Sequence, residues 1–169
     1  GTVGYVSLPY LTIQAAIDAC VVLSPSSSNL FVVRVGPGQY TEDITMVEYV
    51  DVIGNDCAST TILGQVSFPT AVTDNSVIQR IAVWATNKPA VIFDAATEVY
   101  TGIDNSWIMS TYTDSADPIK STIQSSGGWP LVFNATEVDL IVQGSDSTTS
   151  VAALFHITGT TQSHFDIFS

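Results

Sequence analysis

The chain has 169 residues, enough for one domain with a sizeable core, and 46% of them are hydrophobic, which excludes a disordered chain. Sixteen Asp and Glu against four Lys and Arg leave a net charge of −12, which repels phosphate backbones and anionic bilayers and argues against nucleic acid and membrane as partners. Only 12% of residues are charged, so solubility rests on neutral polar groups, supplied by 19 Ser and 20 Thr.

The start of the chain lacks the basic opening and long apolar centre of a signal peptide. No run of 18 apolar residues occurs, so no membrane-spanning helix is expected. The first predicted element is a helix over about 11–23. Ile13, Ala16, Ile17 and Cys20 fall at i, i+3, i+4 and i+7 and make one apolar stripe, with Thr12 placed to cap its start and Asp18 on the polar side. Ser24-Pro25-Ser26-Ser27-Ser28-Asn29 ends it.

Short strands follow. Leu30–Val35 is β-branched and bounded by turn residues, and Gly36-Pro37-Gly38 is read as a sharp turn. Ile44–Met46, Tyr49–Ile53 and Thr61–Leu63 come next. Pro69–Asn75 and Thr113–Asp117 are predicted loops that lengthen individual repeats. In Val50-Asp51-Val52 and Val138-Asp139-Leu140 the apolar residues alternate with an acid, the pattern of a strand with one buried and one polar face.

Strand-like segments recur at Val50, Ile78, Ser106, Val138 and Phe165, at intervals of 28, 28, 32 and 27 residues. Such spacing marks a repeat architecture. Each unit carries strands and turns without a helix, so a coiled stack of parallel strands is expected, each repeat burying its inner face only against its neighbours. The last strand, Phe165–Phe168, stops without a polar cap, so a continuing chain or another subunit is expected to cover that end.

Thr12–Ala19, followed by Val32-Val33-Arg34-Val35-Gly36-Pro37-Gly38-Gln39-Tyr40-Thr41-Glu42, resembles the opening of a pectin-lyase-like right-handed parallel β-helix, in particular the pectin methylesterase branch. That family caps the open end of its stack with an amphipathic helix and follows the first strand with a Gly-x-Tyr-x-Glu turn, which Gly38, Tyr40 and Glu42 match. The likeness spans residues 12–64; beyond them only the periodicity continues. It implies an all-β fold: a single right-handed parallel β-helix over 1–169, with a helical cap at about 11–23 and rungs from about 30 to 169.

The activity does not follow from the likeness. Pectin methylesterases work with paired aspartates, which can split acid and base roles, carried on Gln-Asp-Thr, Asp-Phe-Ile-Phe-Gly and Gly-Arg-Pro-Trp segments. None of these is in the sequence. The neighbours of Asp94 and Asp139 do not match them, so no catalytic residue is assigned. Lyases of similar shape need a base beside calcium-binding acids. Arg34 and Arg80 lie in no acidic cluster, and Arg34 is read as packing on the helix or pairing with Glu42 or Asp43.

Other candidates carry bland readings. Asp114 and Asp117 could ligate calcium but read as a turn, and His156 and His164 have no acidic or thiol partner in sequence. No metal or other cofactor is expected. Cys20 and Cys57 either pair, if the helix packs on the early repeats, or stand as two buried thiols; the thiols are favoured. Trp84 and Trp107 are read as packing residues, in the core or at an interface. Trp129, between Gly128 and Pro130, is the candidate glycan contact.

The sequence is therefore read as a non-enzymatic structural or attachment module of a viral particle, in a spike, fibre or capsid-associated β-helix. Its expected setting is the virion or the extracellular space, and its expected partners are copies of itself (a trimer in particular), other virion proteins or a glycan. The alternatives are a carbohydrate-active enzyme of the pectinesterase or polysaccharide-lyase type and a cell-surface glycan-binding or adhesion module.

Overall fold

The computed structural model describes residues 9–69, 72, 74–94, 99–112, 119–125, 131–144, 151–157 and 164–168. It holds mostly β-strands and one short helix. The helix, α1, spans Ile13–Val22, and the Thr12 hydroxyl accepts the Ala15 N–H at 3.2 Å as its N-cap. Ile13 and Ile17 are buried, and Ala16 and Cys20 pack partly against the same core. The apolar stripe is thus the face that docks.

Among the described residues fourteen strands follow: β1 (Phe31–Val35), β2 (Gly38–Tyr40), β3 (Ile44–Thr45), β4 (Val50–Gly54), β5 (Thr60–Leu63), β6 (Val66–Phe68), β7 (Asp74–Gln79), β8 (Ala82–Thr86), β9 (Val91–Phe93), β10 (Val99–Tyr112), β11 (Ile119–Ser125), β12 (Leu131–Gly144), β13 (Val151–Ile157) and β14 (His164–Phe168). They form a nine-stranded and a five-stranded sheet, and the pairings within both are parallel. Strands adjacent in space are a whole repeat apart in sequence.

Register places equivalent residues in columns. One column runs Val33, Val52, Ile78, Ile103, Ala135 and Ile167. A second runs Tyr40, Ile62, Val83, Ile108 and Leu140. A third, in the five-stranded sheet, runs Ile44, Val66, Val91, Ile123 and Phe155. Ile62, Val66, Ile78, Val83, Val91, Ile103 and Ile108 are wholly buried. Through these residues the columns form the core, and the rings of Phe68 and Phe93 stack beside the third at a centroid distance of 4.7 Å.

The repeat is present, but its phase differs from the sequence reading. Ser106 lies opposite Val138, as the spacing expects, but Ile78 lies opposite Val52 and not Val50, and Phe165 lies opposite Phe133 and not Val138. Along the first column the steps, 33 to 52 to 78 to 103 to 135 to 167, are 19, 26, 25, 32 and 32 residues. One cause lies in β10, which pairs with β7 through Tyr100–Asp104 and with β8 through Trp107–Thr111. It is two arms joined at Asn105, whose φ of 43° bends the chain in the left-handed region that Asn tolerates. Ser106 starts the second arm, whereas Val50 and Ile78 belong to the first.

Three further expectations change. Gly38 begins β2 instead of completing a turn, β6 is an additional strand, and β7 starts inside the predicted Pro69–Asn75 loop. The Thr113–Asp117 loop lies outside the described residues. Buried hydroxyls satisfy the bends: Ser106 Oγ accepts the Ile81 N–H and donates to the Asp104 carbonyl, and Ser110 Oγ accepts the Ala90 N–H at 2.9 Å.

Candidate functional site

Period-two alternation sends every second side chain of β5, β8 and β10 outward. In β8, Val83 and Ala85 are inside, so Ala82, Trp84 and Thr86 face out; in β10, Ile108 is inside, so Trp107, Met109 and Thr111 face out. Register arranges these residues as a grid. Gln39, Thr61, Ala82 and Trp107 form one outer column; Leu63, Trp84 and Met109 form the next; Thr86 and Thr111 are paired beyond it. Trp84 is 43% exposed and Trp107 45%, which overturns the core half of the expectation for both and leaves interface packing as its other half.

The two indoles sit on neighbouring strands, two positions apart, so their Cα atoms are about 8 Å apart by strand geometry. Trp84 is also held. Its Nε1–H donates to Thr111 Oγ1 at 3.1 Å, so the ring leans from its own strand across to the next. This leaves open the side of Trp84 that faces β5, where a groove of about 460 Å³ is lined by Gln39, Leu63, Gly64, Trp84, Thr86 and Lys88.

The far wall of the groove is fixed by charge. Lys88 Nζ donates to both carboxylate oxygens of Asp43, at 2.6 and 2.7 Å. The Lys88 ammonium, with the Gln65 N–H as a second donor, holds the Asp43 carboxyl below its ordinary range despite partial burial. Gly64 keeps the floor low. A Cβ there would come within 2.0 Å of the Glu42 carbonyl oxygen, so no other residue fits this close approach without moving the backbone.

The residues singled out from sequence are scattered. Glu42, taken there as part of a turn, caps the helix: its two carboxylate oxygens accept the Ile13 and Gln14 N–H groups at 2.8 and 3.0 Å. Arg34 faces outward, and with Glu42 on the helix and Asp43 on Lys88 it pairs with neither. No disulfide joins Cys20 to Cys57, and both are half-buried; burial pushes the Cys20 thiol up. His156 and His164 fall on β13 and β14, in different sheets. Trp129, Asp114 and Asp117 lie outside the described residues.

Among the described residues no three His, Cys, Asp or Glu side chains gather as a metal site, and no helix is long and apolar enough to cross a membrane. Comparison with protein-family models, curated proteins and solved structures returned no match. What the outer face offers chemically is contact: two oriented or exposed indoles, an amide, hydroxyls and one neutralised ion pair around an open groove.

Proposed function

We propose that the chain is a right-handed parallel β-helix of the pectin-lyase-like kind, capped by α1, that serves as a non-catalytic structural and attachment module of a viral particle. Register carries this reading. The first column spans six strands, 33 to 167, in parallel pairing, the arrangement a solenoid uses to make a long, stiff body from nearest-neighbour contacts. The sequence likeness over residues 12–64 and the low-charge, Ser- and Thr-rich composition point the same way. The helix-capping role of Glu42 gives the Gly-x-Tyr-x-Glu segment a structural purpose.

In this role the module assembles with copies of itself, with a trimer as the expected unit, and presents its outer face to a partner on the virion or outside the cell. Light scattering of the native protein across a concentration series tests it. A stable trimer or larger particle is the expected result; a 17.9 kDa monomer at every concentration overturns the assembly role. A second reading, a cell-surface glycan-binding module, draws on one specific observation, the outward placement of Trp84 and Trp107.

A further inference from the structure

We propose that the groove beside Trp84 is a binding site for a neutral hexose-based glycan. The inference rests on the attachment reading and names the class of ligand attached. A pyranose presents an apolar C–H face and a rim of hydroxyls. The groove presents the complement: the Trp84 indole and Leu63 as apolar surfaces, and Gln39, Thr86 and Lys88 as polar groups at its edge. At about 460 Å³ and open to solvent, it has room for a sugar ring lying on the surface.

Three observations select this occupant. The first is preorganisation. The bond from Nε1 to Thr111 fixes the Trp84 ring before a ligand arrives, so little rotamer freedom is lost on stacking, and it satisfies the indole N–H. The second is charge. Lys88, the cation at the groove, is already neutralised by Asp43, and the chain carries −12, so an anionic sugar gains no counter-charge here and meets overall repulsion. The third is area. At 43% exposure the Trp84 indole presents roughly 100 Å². That is the scale of a single sugar ring stacked on the indole.

The test is tryptophan fluorescence titration of the full-length protein with cellohexaose, mannohexaose, maltohexaose and, as the anionic comparison, trigalacturonate. Saturable binding of at least one neutral hexasaccharide is expected, with trigalacturonate weaker. Trp84→Ala should weaken that binding about tenfold or more. Thr111→Val, which frees the ring without removing it, should weaken it by a smaller factor; its thermal melt should match the parent, since Thr111 faces outward. No binding of any neutral hexasaccharide, equal binding by Trp84→Ala, or tighter binding of trigalacturonate overturns the proposal. So does dissociation of a native oligomer by Trp84→Ala, which would make this face a contact between copies. A sugar-free oligomer that binds no hexasaccharide overturns the glycan site alone, while a monomer that binds sugar overturns the assembly role alone.

Discussion

Glu42 shows how much one side chain can tie together. It follows β2, and its carboxylate reaches the start of α1, where it accepts the Ile13 and Gln14 N–H groups. The first N–H groups of a helix have no partner within it, and an anion there also meets the favourable end of the helix dipole. Glu42→Ala should therefore cost about 1–2 kcal/mol, read as a lower midpoint in denaturant. Glu42→Gln, which keeps one acceptor oxygen and loses the charge, should fall between the variant and the parent. Equal midpoints for all three would show that α1 is held by its apolar face alone.

Asp51 makes a second residue-scale prediction, with the opposite sign. Its side chain lies between two repeats, half-buried, and accepts the Val77 N–H at 3.0 Å. Burial raises its carboxyl above the ordinary range and outweighs that hydrogen bond, which acts to lower it. The folded state therefore holds this proton to higher pH than the unfolded chain does. Stability falls as pH rises from the unfolded toward the folded value, and the ionised group is a net cost above that window. Asp51→Asn keeps the acceptor and removes the charge. It should be more stable than the parent at neutral pH, by no more than about 1 kcal/mol for a half-exposed group, with the difference vanishing in acid. Thermal melts from acid to neutral pH check both the sign and its pH dependence.

At the scale of elements, alternation decides what each strand residue does. Ile62 and Leu63 are neighbours in β5, yet Ile62 is wholly buried in an inner column and Leu63 is half-buried on the outer face. Ile62→Ala should cost about 2–5 kcal/mol, whereas Leu63→Ala should cost under about 1 kcal/mol. Chemical denaturation of the two variants tests the register directly, because a one-residue slip would exchange the two results. The same alternation explains what the sequence did and did not disclose. Val50-Asp51-Val52 was legible because an acid separates two aliphatic residues. Ala82-Val83-Trp84-Ala85 was not: both phases are apolar, and only the burial of Val83 and Ala85 in the folded chain shows Trp84 to be outside. β2 and β6 have three residues each, too few for periodicity to register. Thr12 and the stripe through Ile17 were legible because a helix that docks one face leaves its signature in spacing alone. The phase of the repeat was hidden by the bend at Asn105, a single left-handed residue with no pattern around it. The outer groove was hidden because residues from three repeats meet there, and nothing local links Gln39 to Lys88.

Across the whole molecule, parallel stacking creates a problem at the ends. β1 and β2 end the main path of the larger sheet, and β3 ends the smaller one. Terminal strands present unpaired N–H and C=O groups that invite another chain to pair. The helix answers this in two ways. Ile13 and Ile17 bury themselves against the core, and Gln14 Oε1 accepts the Thr45 N–H of β3 at 2.8 Å, satisfying a donor at the sheet edge. α1 is thus a plug for edges as well as a packing element. Ile17→Asp places an unpaired charge at a site with no exposure and should lift the plug. The repeats beyond it touch only their own neighbours, so they should keep their structure while the end opens. The expected result is a protein that retains its β-sheet circular dichroism but associates with rising concentration, seen by light scattering. Global unfolding at low concentration would instead mean that the cap and the stack fold as one cooperative unit. Conservative Ile17→Val, which keeps the apolar contact, should leave the association state of the parent unchanged.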